Sequence, residues 1–258
     1  MMSLPAVMRT CGVLMMLSLA TPGAFAQVRP VAEWKGYAGA GAIAFPKYTG
    51  GRGSETVPIQ LMMFEYKETV YVDLLRAGVR LWSDTDRKIA LGLAMEPRFG
   101  FRAADGVRLG GMSTRRTSVE LGPSVEWETP VASFNLAWFG DVNNTSRGSS
   151  LRASVYRQFI DSAHWDVGGY VGIDRGSAKV ADYYFGVRAD EVTIARGSYQ
   201  PGATTHLNVG ATAAYRFTRS YALILGAQTT RLGGAAAASP IVQTRNATIG
   251  YIGLAWRL

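Results

Sequence analysis

Apolar and polar positions alternate along this chain with a period of two, and the pattern is cleanest at its end. In Thr244–Leu258, one face carries Thr248, Gly250, Ile252, Leu254, Trp256 and Leu258. The other carries Ala247, Ile249, Tyr251, Gly253, Ala255 and Arg257. A period of two belongs to a strand and not to a helix. About ten residues with one apolar face is the length at which a tilted strand crosses a bilayer.

The pattern recurs. Trp34–Phe45 sets Tyr37, Gly39, Gly41, Ile43 and Phe45 on one face, and Val57–Tyr66 alternates more weakly. In Lys88–Phe101, Ile89, Leu91, Leu93, Met95, Phe99 and Phe101 form one set against Ala90, Gly92, Ala94, Glu96 and Arg98. Pro97 in that run marks a bulge or an early end. Thr114–Glu128 opposes Thr117, Val119, Leu121, Val125 and Trp127 to a polar set. Val131–Phe139, Leu151–Phe159, His164–Ser177, Thr204–Phe217 and Tyr221–Leu232 continue the series. The connections are alternately tight, as at Lys67-Glu68, Thr129-Pro130 and Thr218-Arg219-Ser220, and long, the longest being Ala178–Gly202.

These segments predict an all-β fold, a transmembrane antiparallel up-and-down β-barrel. Eleven are counted, whereas bacterial barrels use even numbers. Tight turns counted back from the C-terminus and forward from Trp34 disagree by one crossing between about 69 and 113. The remaining segment, Thr69–Trp82, slips phase inside that window: Val70, Val72 and Leu74 share one face, then Leu75, Ala77, Val79 and Leu81 take over. A bulge, or a turn that splits the segment, produces such a slip. Twelve strands are expected, with ten as the alternative. Trp127, Trp138, Trp165, Tyr215, Phe217, Tyr221 and Trp256 fall near strand ends, where girdles at the two lipid interfaces would place them.

Composition narrows the setting. Arg9, the apolar run Gly12–Ala20 and Ala24-Phe25-Ala26 have the order of a secretory signal, so residues 1–26 are expected to be removed and 27–258 to form the barrel. Cys11, the one cysteine, lies in that leader. The exported chain then has no disulfide, no thiol nucleophile and no Cys-ligated metal. Its net charge is about +7, since Arg9 alone leaves with the leader. Basic charge on an exported chain points to anionic lipid, lipopolysaccharide or murein as neighbours, and not to nucleic acid.

Candidate chemistry is thin. A lipid-directed barrel hydrolase needs a serine nucleophile, a histidine base and an orienting group near one rim. His164 falls in a turn and His206 on an inward face beside Asn208, with no serine suitably spaced from either. Two histidines without cysteine also make a poor metal site. No catalytic, metal or cofactor-binding residue is therefore expected. The inward charges are Asp73, Arg76, Arg80, Glu96, Arg98, Arg116, Glu120, Glu126, Glu128, Arg152, Asp166, Asp174, Arg216 and Arg257. They fit equally a charged pore constriction and a salt-bridged filling.

Several stretches carry a resemblance. They are Tyr37-Ala38-Gly39-Ala40-Gly41, then Pro46, Tyr48 and Gly50 as Pro-x-Tyr-x-Gly, then Tyr184–Val187 as Tyr-Phe-Gly-Val, then Ser239-Pro240-Ile241-Val242, and the closing Gly253–Leu258. In that order they resemble the MipA/OmpV family of outer-membrane proteins, over nearly the whole exported chain. The chain ends Trp-Arg-Leu where that family usually ends Tyr-Arg-Phe, and its first loop carries Lys47 and Arg52 with only Glu55, where the family's is acidic. The resemblance implies a non-enzymatic scaffold that gathers a lytic transglycosylase and a murein synthase, or a surface adhesion protein. A small passive channel is the alternative. The end of the last strand also looks like the signal that barrel-assembly machinery reads.

Overall fold

The computed structural model describes residues 33–86 and 88–258; the expected leader at 1–26 lies outside them. Twelve antiparallel strands close into a barrel in which each strand pairs with its chain neighbours and β1 meets β12. They are β1 (Trp34–Pro46), β2 (Ser54–Tyr66), β3 (Val70–Asp73), β4 (Arg76–Ser83), β5 (Ile89–Arg98), β6 (Ser118–Glu128), β7 (Ser133–Asp141), β8 (Ser149–Asp161), β9 (Trp165–Gly176), β10 (Thr204–Arg216), β11 (Tyr221–Arg231) and β12 (Asn246–Arg257). Two short helices, α1 (Ala178–Phe185) and α2 (Gly234–Ala237), lie in the longer connections. No helix among the described residues is long and apolar enough to cross a membrane.

Alternation becomes an inside and an outside. On β5, Ile89, Leu91, Leu93 and Met95 are exposed on the outer face, while Ala90 and Ala94 are buried toward the lumen. The outer set continues through Val125, Leu136, Val171, Val209 and Leu254 on neighbouring strands. A continuous exposed apolar belt of this kind is a lipid-facing surface. Short turns at 67–69, 84–88, 129–132, 162–164 and 217–220 gather at one end and long loops at the other. By the usual arrangement the short turns are periplasmic and the loops external.

The phase slip proves to be a turn. Asp73 pairs with Arg76, so Leu74-Leu75 is a two-residue hairpin tip. Leu74 has φ 52°, the left-handed region that bulky residues avoid. β3 is only four residues long, pairing with β2 from Met63 to Tyr66, so this hairpin turns back part-way up the wall. That early return is why the two turn counts disagree. Nothing in a single-residue phase slip distinguishes a turn from a bulge; only the pairing register does.

Other expectations shift. The aromatic residues form one well-populated ring at the periplasmic end, with Trp34 on Tyr66 (4.6 Å), Trp127 on Phe134 (5.1 Å), Trp165 on Tyr215 (4.8 Å) and Tyr221 on Trp256 (5.0 Å). Trp138 alone of those named lies toward the loop end, so two equal girdles are not seen. The strand expected from Thr114 starts at Ser118. Arg116 therefore sits in the loop before it, exposed, and not among the lumenal charges. The long stretch Ala178–Gly202 is not featureless, since α1 and a short 3₁₀ turn at Ala189–Glu191 lie inside it.

Inside the lumen, tyrosines lie against glycines of the next strand. Tyr71 faces Gly78, Tyr170 faces Gly210 and Tyr251 faces Gly226. A Cβ on any of these glycines would sit within the facing ring. The ring covers the strand where no side chain can, a pairing known to strengthen sheets.

The closing seam is short of redundancy at its end. Ala38 pairs with Trp256 and Tyr37 with Arg257, and the Leu258 N–H donates to Gly36 O at 3.0 Å. Deleting Trp256–Leu258 removes these together with the Trp256 ring on Tyr221. The truncated protein is expected to fail to insert, read as loss of the heat-modifiable folded band on unboiled gels. A folded band in outer-membrane fractions would refute this.

Candidate functional site: a packed cap over a bridged lumen

Four external loops fold over the barrel mouth instead of standing apart. Their apolar side chains form one buried cluster that includes Tyr48, Phe101, Leu109, Tyr184, Phe185, Val187, Ile241 and Val242. α1 supplies the centre: it buries Val180, Ala181, Tyr184 and Phe185. Tyr48 donates through its hydroxyl to Ile241 O at 2.9 Å, and Ser239 Oγ donates to Phe185 O at 2.5 Å. Gly50 has φ +94° and accepts from Gln243 N at 2.7 Å. A side chain there would meet Val242 Cγ2 at 2.9 Å as well as being strained, so glycine is required twice over.

The cap also holds an ion pair with almost no solvent exposure. Arg115 and Glu191 side chains are 0% and 1% exposed. The contact is bidentate, with Arg115 Nη1 to Glu191 Oε1 at 2.7 Å and Nη2 to Oε2 at 2.6 Å. Arg115 Nε donates to Tyr183 O at 2.7 Å, and the N–H groups of Ser113 and Arg188 donate to the carboxylate at 3.0 Å each. Every charge is thus paired and hydrogen-bonded, the condition under which a buried ion pair is tolerated. Burial alone would push the Glu191 carboxyl up. The hydrogen bonds from Arg115 and the two backbone N–H groups outweigh it and bring the group down to about 2. Arg196, also buried, ties the loop before β6 to the same place by donating to Arg108 O, Gly110 O and Glu191 O.

Beneath the cap, charges from six strands bridge one side of the lumen. Arg98 Nε meets Glu120 Oε1 at 2.7 Å and Arg98 Nη2 meets Asp174 Oδ2 at 3.1 Å. Arg152 meets Glu120 Oε2 at 2.6 Å and Asp174 Oδ2 at 3.3 Å, and also pairs with Glu96. Lower down, Arg80 bridges Glu126 at 2.7 Å and Glu65 at 2.9 Å. The guanidinium groups of Arg152 and Arg76 lie 4.9 and 5.9 Å from the centre of the Phe139 ring. The other side of the lumen is apolar, with Leu61, Ile224, Ala214, Ala222 and Ala255 buried together. Tyr184 joins the two layers. Burial pushes its phenol up to about 12, so it keeps its proton and donates at 2.9 Å to the Oγ of Ser118, the residue directly opposite Arg98 in the β5–β6 ladder.

Residues 38–258 match the family described as MltA-interacting protein MipA. The chain belongs to the MipA family. Among curated relatives it is 26% identical over 200 residues to outer membrane protein Omp26La of Vibrio anguillarum and 27% identical over 200 residues to outer membrane protein OmpV of Vibrio cholerae. Each match covers 74% of this chain and 77% of the relative. Among solved structures, the N-terminal β-barrel domain of Pseudomonas aeruginosa OprF overlaps 66% of this chain and 98% of its own at 12% identity, with a TM-score of 0.31, a loose overlap. This MipA-family barrel is an outer-membrane protein.

Three of the stretches that carry the MipA/OmpV resemblance meet in the cap, while Tyr37–Gly41 and Gly253–Leu258 pair with each other along the β1–β12 seam. Tyr48 and Gly50, the run Tyr184–Val187 and the run Ser239–Val242 come from three separate loops and touch one another there. Sequence alternation puts the lumenal Arg98, Glu120, Arg152 and Asp174 on the inward face, and the structure brings them together. Alternation misses the Arg115–Glu191 pair, because Glu191 lies in a loop without a period, Arg115 at the start of the expected Thr114–Glu128 segment has outward parity, and no spacing links the two. Of the two histidines, His206 lies beneath the cap, 5.6 Å from the Phe185 ring centre, and its Nδ1 accepts from the Gly233 N–H at 3.2 Å. His164 Nδ1 lies 3.0 Å from Arg216 O in a periplasmic turn. Among the described residues no three His, Cys, Asp or Glu side chains gather as metal ligands.

Proposed function

We propose that the chain works without catalysis, as an outer-membrane scaffold that presents fixed surfaces to partners. The cap is the observation that carries this reading. Loops that interlock through an apolar cluster and a satisfied buried ion pair hold one shape, which suits recognition better than passage. The ring hydrogen bond of each histidine is to a main-chain group, in keeping with a non-enzymatic role.

The family description names MltA as an interacting protein. A lytic transglycosylase acts on murein, so such a partner, and a murein synthase with it, would dock at the periplasmic rim. Lys35–Glu68 and Lys67–Glu33 pair there on the first turn, and Asp84 and Asp86 stand on the second. Pull-down of the tagged barrel from mild-detergent extracts tests the reading. Recovery of a lytic transglycosylase is expected, weakened by Asp84→Lys with Asp86→Lys. Absence of any murein enzyme from the wild-type eluate would refute it.

A small passive channel is the second reading, favoured by the width of a twelve-strand lumen. Planar-bilayer recording separates the two. The scaffold reading expects no steady conductance from the wild type.

A further inference from the structure

The short β3–β4 hairpin leaves the wall incomplete above it. β2 pairs with β1 along its full length, from Ser54 to Tyr66, but with β3 only from Met63 to Tyr66. Above Met62, whose carbonyl accepts from Leu74 N at 2.7 Å, the β2 edge Ser54–Leu61 has no strand beside it among the described residues. Across the gap, β5 pairs with β4 only up to Met95, so Glu96, Pro97 and Arg98 are unpaired on that side. Both bordering strands carry a proline, Pro58 and Pro97, the residue confined to sheet edges and bulges. The opening has a sill and a lintel. Strained Leu74 forms the sill, and Phe45 stacked on Phe99, with ring centres 6.4 Å apart, forms the lintel.

The polarity of β2 inverts along this edge. Its outward residues are Ser54, Thr56, Pro58 and Gln60, all exposed, at the depth where the facing positions of β1 are Ala40, Ala42 and Ala44. Its inward residues are Val57, Ile59 and Leu61, and the last two pack with Leu74 into the apolar side of the lumen. Other strands put apolar residues outward. An unpaired backbone edge of roughly 25 Å cannot face hydrocarbon unsatisfied, and outward Ser, Thr and Gln supply polar groups beside it. The apolar lining lies on the inside instead. The two loops directly above the opening are basic: Lys47 and Arg52 in one, Arg108 and Arg116 in the other, all exposed.

We propose that this is a lateral window, and that an acyl chain of lipid A from the outer leaflet enters it. The chain lies against Ile59, Leu61 and Leu74, and the lipid's phosphates face the basic loops above. The inference needs the membrane barrel and does not depend on the scaffold reading. Position, polarity and charge agree on such an occupant. The window opens on the loop side of the wall, its inner lining is apolar, and cationic loops overhang it.

Bimane fluorescence tests this. The described barrel contains no cysteine, so Ile59→Cys or Val57→Cys, in a Cys11→Ser background, gives one label inside the window. Ser154→Cys labels the lumen far from it and Val171→Cys the lipid face. Folding of each is verified by gel mobility. In vesicles of acyl-brominated phosphatidylcholine, the window labels are expected to be quenched close to the Val171 level and well above the Ser154 level. Added unbrominated lipid A is expected to relieve that quenching. The double variant Lys47→Glu, Arg52→Glu should need at least about thirty-fold more lipid A for the same relief, since it removes two basic residues that each contribute on the order of 1 kcal/mol near an anionic lipid, and about 1.4 kcal/mol is ten-fold. Window labels quenched no more than Ser154 would overturn the window. Quenching that lipid A does not relieve would overturn lipid A as its occupant.

Discussion

Glu191→Ala is expected to unfasten the cap while leaving the barrel wall intact. The substitution strands Arg115, whose side chain is 0% exposed, without its counter-charge and removes the acceptor for the Ser113 and Arg188 N–H groups. Breaking one partner from a buried pair costs about 3–5 kcal/mol. That exceeds what the remaining apolar contacts of a few loops can absorb without rearranging. External protease should then cut between residues 99 and 117 and between 177 and 203 in the variant, at concentrations that leave the wild type whole. The folded band on unboiled gels should persist. Acid should mimic the variant. Glu191 is held down to about 2, against about 4.3 for an ordinary glutamate. A group lowered in the folded state contributes fully above the ordinary value. That contribution fades as pH falls from about 4.3 toward 2. Protease sensitivity of the wild-type loops should therefore rise across that window, and Glu191→Ala should be flat through it. Wild-type loops equally resistant at pH 5 and pH 2 would show that the pair does not fasten the cap.

Glu120→Ala is expected to weaken the barrel itself. Glu120 touches Arg98, Arg152 and Ser150 at once, and its side chain is 2% exposed. Without it, two arginines on β5 and β8 keep only Asp174 in common, and a network that tied β5, β6, β8 and β9 loses its middle. A loss of about 3–5 kcal/mol is again the scale for one member of a buried ionic cluster. Heating a detergent sample in steps and scoring the folded band should show the variant unfolding at a clearly lower temperature. Glu120→Gln keeps an acceptor oxygen and should fall between the two. An unchanged unfolding temperature for Glu120→Ala would mean that the lumen is wet enough to replace the carboxylate.

Much of the wall is legible in the sequence because membrane strands obey one rule along their whole length. Ile89, Leu91, Leu93 and Met95 announce their own face, and the same rule puts Glu96, Arg98 and Glu120 inside. The cap is not legible in this way. Its contacts join Tyr48 to Ile241 and Arg115 to Glu191, across 193 and 76 positions of chain, and loops have no period to read. Arg116 shows how the rule misleads once a strand has ended. Its parity is inward, yet the ladder stops at Ser118 and the neighbouring Arg115 is the residue that turns in. The resemblance motifs point at the cap by residue type, with no statement of what they touch.

The tyrosine–glycine contacts bear on how such a chain finds its pairing. Alternation rejects any shift of one residue, because every side chain would change faces. It is blind to a shift of two, which keeps inside in and outside out. Moved by two, Tyr170 would meet Thr212 or Asn208 in place of Gly210, and Tyr251 would meet Gln228 or Ile224 in place of Gly226. Tyr71 would meet Arg80 or Arg76 in place of Gly78. Each of these residues occupies the space that the ring needs. The lumenal rings thus act as keys that fit one notch, and they correct the errors that hydrophobic patterning lets through while the barrel assembles.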